Sequence, residues 1–111
     1  MLVVEDEFLV ALDMRTILTE AGFQVLGHAG SVAAAISLIC RQHPDAVLLD
    51  NNLNGRSVAP VAVALSARGV PFAFVTGNDR KGLPAAFAGA PAVRKWLDSA
   101  WLVAMARRLT E

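Results

Sequence analysis

Short apolar runs alternate along this chain with longer stretches in which apolar residues recur every three or four positions. Met1-Leu2-Val3-Val4 is apolar throughout and stops at Glu5-Asp6. A run of that length with polar residues after it reads as a strand buried on both faces. Over residues 7–21, Val10, Met14, Ile17, Leu18 and Ala21 fall at i, i+4, i+7, i+8 and i+11, the stripe of an amphipathic helix, and Gly22 is placed to stop it. Residues 23–29 are β-branched and aromatic between glycines and predict a second strand. Ser31 is placed as the N-cap of a helix running from Val32 to about Gln42, and Pro44 ends the connection. Ala46 to Leu49 predicts a third strand, closed by Asp50 and followed by Asn51-Asn52-Leu53-Asn54-Gly55, which reads as loop.

Beyond that loop, Arg56 or Ser57 opens a third helix with Pro60 in its first turn, ending near Arg68-Gly69. Val70 to Val75 predicts a fourth strand leading into Thr76. Residues 80–89 carry Gly82, Pro84 and Gly89, which leave room for one or two helical turns, and the region from Asn78 to Gly89 is expected to be the least protected part of the fold. Ala92-Val93 predicts a brief fifth strand. Asp98 or Ser99 caps a last helix through Leu109, with Leu102, Met105, Ala106 and Leu109 facing inward. Strands alternating with helices imply right-handed crossovers and an α/β fold: a doubly wound, five-stranded parallel sheet with helices on both faces. No repeat, low-complexity tract or linker interrupts the pattern, so residues 1–111 are expected to form a single domain.

Composition narrows the function classes. The chain is 55% hydrophobic, enough for a core, yet no apolar run approaches the roughly 20 residues of a membrane span. Lys plus Arg and Asp plus Glu both number 10, which argues against nucleic acid as the main partner, since that usually requires a basic face. Cys40 has no second cysteine to pair with and reads as a small core residue on an apolar helix face. With no signal-peptide pattern at the N-terminus, the expected location is the cytoplasm. His28 and His43 fit no motif and read as structural or solvated. Self-association into a homodimer is left open.

The polar residues that close the strands carry the chemistry. Glu5-Asp6 follows the first strand, Asp50 ends the third, Thr76 follows the fourth and Lys95 follows the fifth. In an open parallel sheet the carboxyl ends of the strands are the ligand-binding edge. With strand order 2-1-3-4-5 three carboxylates meet there. Crowded like charges call for a cation, and hard carboxylate and carbonyl oxygens are what Mg²⁺ takes. Each piece has a simpler reading: Glu5-Asp6 as acids favoured by a helix dipole, Thr76 as a turn residue, Lys95 as a solvated lysine.

Taken together, the acidic pair Glu5-Asp6, the Leu-Leu-Asp50-Asn-Asn-Leu-Asn-Gly segment, Thr76 and Lys95 resemble the response-regulator receiver domain of two-component signalling over essentially the whole chain. The resemblance implies a flavodoxin-like sheet with Asp50 as phosphoacceptor. The donor would be a histidine kinase or a histidine phosphotransfer protein, with an unknown downstream protein as output partner. It implies Mg²⁺ held by Glu5, Asp6, Asp50 and the backbone carbonyl of Asn52, with Thr76 and Lys95 contacting the phosphoryl group. Pro71 to Gly77 partly resembles a receiver subgroup named for a Phe-Ala-Thr-Gly motif, with Val75 in the place of its alanine. Members of that subgroup are often stand-alone receivers, which the chain's length fits.

Two positions depart from the family. Ala92 stands where an aromatic residue usually couples to the threonine. Trp96 follows Lys95 where proline is usual, so a trans Lys95–Trp96 bond is expected. Trp96 is then expected to pack across the region of the shortened fourth helix. Rival readings are a degenerate receiver that binds partners without phosphorylation, a small phosphatase with an aspartyl nucleophile, and a flavin module of similar topology. The phosphatase would need an acid where Asn52 stands. The flavin module would bring a phosphate against the acidic first loop. Phe8, Leu9 and Leu12 lie off the core stripe of the first helix, either by chance or as part of a kinase-docking surface.

Overall fold

Strands that must be buried on both sides need a layer of helices above and another below, and the chain supplies both. The computed structural model describes residues 1–76, 89–94 and 99–111. In chain order these form β1 (Leu2–Val4), α1 (Phe8–Glu20), β2 (Gly27–Ala29), α2 (Val32–Gln42) and β3 (Val47–Asp50). There follow β4 (Asn52–Leu53), β5 (Arg56–Ser57), α3 (Ala59–Ala67), β6 (Phe72–Thr76), β7 (Ala92–Arg94) and α4 (Ser99–Thr110). The main sheet runs β2-β1-β3-β6-β7 with every pairing parallel. This is the doubly wound order expected, with β6 and β7 as its fourth and fifth strands.

The period of two along each strand sorts the core into two halves. Leu2, Val4, Val47, Leu49 and Phe74 face one way and pack with Ala35, Ile39, Val61 and Leu65 of α2 and α3. Val3, Leu48, Ala73 and Val75 face the other way and pack with Ala11, Met14, Leu18, Leu102 and Met105 of α1 and α4. Among the described residues no helix is long and apolar enough to cross a membrane.

Two expected strands begin late, for the same reason. Gly22, at φ 96°, ends α1: its N–H donates to Thr19 O, and Phe23 N–H donates to Leu18 O. Gly69, at φ 69°, ends α3 in the same way, with Val70 N–H donating to Leu65 O. Both ends are Schellman motifs, in which the residue after the glycine folds back onto the helix. Phe23 and Val70 therefore serve as apolar clasps on the two cores, and the strands start at Gly27 and Phe72 rather than at residues 23 and 70.

Other expectations are corrected. The third helix starts at Ala59, not at Arg56 or Ser57, because those two residues pair with Asn52–Leu53 in an antiparallel hairpin. Its turn is Asn54-Gly55, both at positive φ, a two-residue connection suited to the twist of a hairpin. Cys40 is exposed and accepts a hydrogen bond from Arg68 Nη2 at 3.0 Å. Ala35 and Ile39 are the buried residues of α2, and a residue one step past Ile39 turns about 100° away from that line. The buried line of α1 is Ala11, Met14 and Leu18, with Val10 and Ile17 half-buried on its flanks. In α4, Leu102, Met105 and Ala106 are buried as expected. The helical turns expected within 80–89 lie, up to residue 88, outside the described residues, as does Asp98.

Two substitutions separate backbone from packing effects. Open space surrounds the position a Cβ would take at Gly69. Gly69→Ala is therefore expected to lose about 1 kcal/mol through its left-handed backbone alone, seen as a lower urea midpoint at unchanged slope. Phe74→Ala removes a fully buried ring from the centre of the sheet. It is expected to lose about 3–5 kcal/mol; a loss no larger than that of Gly69→Ala would show that Phe74 does not anchor this half of the core.

Candidate functional site

Three neighbouring strands end at one edge of the sheet, and each delivers a polar residue there. β1 runs into Glu5, whose N–H continues the ladder by donating to Ala29 O at 2.9 Å. The next residue, Asp6, is half-buried. β3 ends on Asp50 itself. β6 ends on Thr76, one residue beyond the Asp50–Val75 register pair. Glu5, Asp50 and Thr76 are the buried polar residues among those described, with 1%, 3% and 2% of their surfaces exposed.

Carboxylate oxygens of Glu5, Asp6 and Asp50 lie within 4.8 Å of one another. The simpler reading of the acidic pair, as first-turn acids of a helix, does not hold. α1 begins at Phe8 with Glu7 as its N-cap, and its first turn contains no acidic residue. The pair sits at the strand edge instead, turned toward Asp50. The donor set suits a hard divalent cation, since it offers charged oxygens from three side chains, and the half-buried Asp6 leaves a side open to water.

The segment after Asp50 is tied to these carboxylates by its backbone. Asn52 N–H donates to Asp50 Oδ1 at 3.2 Å, and Asn54 N–H donates to Asp6 Oδ2 at 3.1 Å. Gly55 N–H donates to Asn52 Oδ1 at 2.8 Å and holds the turn. The site thus includes Asn54 and Gly55, which form the turn of a hairpin where the run of turn residues predicts loop. The signal was available, since Asn-Gly is a strong short-range hairpin signature.

Sequence reasoning named six site residues, and the structure brings Glu5, Asp6, Asp50 and Thr76 to this edge. Asn52 joins them through its main chain. Lys95 lies outside the described residues, as do Trp96 and the bond between them; Arg94, just before Lys95, pairs in register with Thr76. Ala92 is half-buried in register with Phe74 and packs on the core shared with α2 and α3. Beside the acidic pair, α1 exposes Phe8, Leu9 and Leu12, with 62%, 76% and 46% of their surfaces open. His28 is half-buried, with the Phe8 ring edge-on at 5.9 Å and Arg15 Nη1 at 3.4 Å from Nδ1. His43 is exposed and ends α2 at φ 47°. Both histidines are thus placed by the fold and apart from the acidic cluster.

Comparison with known proteins agrees with this geometry. The family model of the response regulator receiver domain matches residues 1–95. The solution structure of SdrG from Sphingomonas melonis Fr1 is 34% identical, covers 98% of this chain and 92% of its own, and superposes with a TM-score of 0.84. The response regulator PhyR from Brucella abortus is 26% identical, with a TM-score of 0.84, over 98% of this chain but 46% of its own. The transcriptional regulatory protein PdtaR of Mycobacterium tuberculosis is 30% identical over 83 residues, and this chain spans about 40% of that relative's length. With the carboxylates gathered at the end of β3 and the family model matching from β1 through β7, the chain belongs to the response regulator receiver domains of two-component signalling.

Proposed function

We propose that residues 1–111 act as one phosphoacceptor unit in the cytoplasm, with Asp50 taking a phosphoryl group from a phosphohistidine on a histidine kinase or a histidine phosphotransfer protein. The observation that carries this reading is the meeting of three carboxylates within 4.8 Å around a buried aspartate at the end of the central strand. In the transfer, a carboxylate oxygen of Asp50 attacks phosphorus. A P–O bond forms, and the P–N bond to the donor histidine breaks.

Phosphoryl transfer is chiefly a matter of position and charge. Asp50 is held by β3 and by the Asn52 N–H. Glu5 and Asp6 would hold Mg²⁺ together with Asp50 and the backbone carbonyl of Asn52. When bound, Mg²⁺ supplies positive charge that offsets the carboxylates and the phosphoryl oxygens. Thr76, at the end of the adjacent strand, would donate its hydroxyl to a phosphoryl oxygen, and Lys95 would add a further charge. The exposed Phe8, Leu9 and Leu12 form the apolar surface that the donor protein would cover. Phosphorylation would then change how the domain binds a downstream protein.

A second reading has one observation in its favour. Ala92 stands where the family usually has an aromatic residue, so the usual output coupling is missing, as it would be in a receiver that binds its partner without phosphorylation. Labelling at Asp50 separates the two readings.

Mg²⁺-dependent phosphorylation or beryllofluoride binding is expected at Asp50. Asp50→Asn should abolish it, and Thr76→Ala should weaken the bound state while leaving Asp50 reactive. Equal labelling of Asp50→Asn and the parent would exclude Asp50 as the acceptor. Saturating Mg²⁺ should also raise the unfolding midpoint, since an ion at 100 times its Kd adds about 2.7 kcal/mol by mass action. Asp6→Asn should remove most of that gain; an undiminished gain in the variant would place the ion elsewhere.

A further inference from the structure

The residues after Asp50 carry a feature that a plain connection would not need. Asn54 and Gly55 take φ values of 52° and 77°, and the two-residue turn pairs Asn52 with Ser57 and Leu53 with Arg56. Leu53 is buried in the core while Asn52, Asn54, Gly55, Arg56 and Ser57 are exposed. The hairpin is therefore an exposed ribbon held down by one apolar anchor. A two-stranded ribbon has little stability of its own, so contacts at its tip weigh heavily in whether it stays closed.

Those contacts go to the acidic site. The Asn54 N–H reaches Asp6 Oδ2 across 48 residues of sequence, and the Asn52 N–H holds Asp50 Oδ1. Two carboxylates of the cluster are thus oriented by backbone donors from one hairpin. A carboxylate has about four acceptor positions, so one N–H does not exhaust it. Hydrogen-bond partners that orient a ligating carboxylate are part of a metal site's affinity.

We propose that the Asn54-Gly55 turn of this hairpin is a positioning element of the acidic site, acting through the Asn54 N–H on Asp6, so that its closure and the binding of a divalent cation at Glu5, Asp6 and Asp50 strengthen each other. The inference rests on the cation-binding reading given under Proposed function. Linkage makes the effect reciprocal: a hairpin that prepares Asp6 for the ion is held closed by the ion.

Gly55→Val tests it. A β-branched residue disfavours φ 77°, yet the space around a Cβ at this position is open, so the turn is disturbed without a clash. Mg²⁺ alone is titrated, with backbone amide NMR shifts as readout. The variant should bind roughly tenfold more weakly than the parent. In the parent, saturating Mg²⁺ should slow hydrogen exchange of the Asn54 amide several-fold. Gly69→Val serves as the control, because it imposes the same kind of backbone penalty at the end of α3, which leads into the opposite edge of the sheet. It should lower stability and leave Mg²⁺ affinity unchanged.

Equal Mg²⁺ affinity in the parent and in a Gly55→Val variant that keeps its β3 amide protection would overturn the inference while the cation site stands. Should the variant fail to fold, Asn54 exchange in the parent decides: a rate indifferent to Mg²⁺ overturns the inference. Absence of Mg²⁺ binding in the parent would remove the cation-binding reading itself, and the inference with it.

Discussion

The burial of β3 between β1 and β6 is the constraint on which the rest depends. Val47, Leu48 and Leu49 are fully buried, so the strand has no solvent face and can sit only at the centre of the sheet. Its pairings run from Val47–Phe72 to Asp50–Val75 on one side and from Leu2–Val47 to Val4–Leu49 on the other. A slip of one residue would turn every side chain of the strand to the opposite face and break both halves of the core at once. The position of Asp50 is therefore set by hydrophobic packing, with no need for the charge to find its own place. Holding a carboxylate there is unfavourable unless hydrogen bonds and counter-charge offset the lost hydration. The Asn52 N–H meets part of that requirement, while the neighbouring Glu5 and Asp6 carboxylates add to the need for a counter-charge.

The same sheet geometry explains how carboxylates from distant parts of the sequence come to share one spot. Neighbouring strands lie about 4.7–4.9 Å apart. Side chains leaving the ends of β1 and β3 thus begin at nearly the separation found among the Glu5, Asp6 and Asp50 oxygens, 4.8 Å at most. That distance is too short for three bare negative charges to sit together without strain and short enough for one cation to touch all three. β6 adds Thr76 from the other side of β3. Among the described residues the edge is acidic where β1 and β3 meet and carries a hydroxyl where β3 and β6 meet.

Much of this was legible in the sequence because it rests on patterns of burial. The apolar runs at 1–4, 46–49 and 70–75, and the helical stripes between them, marked the strands and helices, and the strand order implied by the receiver resemblance then put Glu5, Asp6, Asp50 and Thr76 at one edge. What escaped were features set by backbone conformation. Phe23 and Val70 are apolar and β-suited, but each follows a left-handed glycine and folds back on the preceding helix. Arg56 and Ser57 look like a helix start, yet Asn54-Gly55 turns them back onto Asn52 and Leu53. Cys40 failed for a different reason: on α2, where small and apolar residues extend around much of the helix, composition does not say which of them faces the core. In each case the deciding term is one or two φ angles, or a rotation of one residue, which hydrophobic pattern alone does not resolve.

Ala92 shows what the packing allows at the other end of the site. It stands opposite Phe74 in the β6–β7 pairing and packs on the core that Phe74 fills. A methyl group has no rotamer to switch, so no side-chain rotation at this position can follow a movement of Thr76. Phe72 and Phe74 lie edge to face at 5.6 Å on the same strand as Thr76, with Phe74 fully buried. Close-packed rings of this kind resist small displacements and pass them on to their neighbours. Thr76 closes the strand that holds both rings, and its register partner on β7 is Arg94. What β6 and β7 share at this position is therefore their backbone pairing, Phe74–Ala92 through Thr76–Arg94, together with the packing of Ala92 on the core.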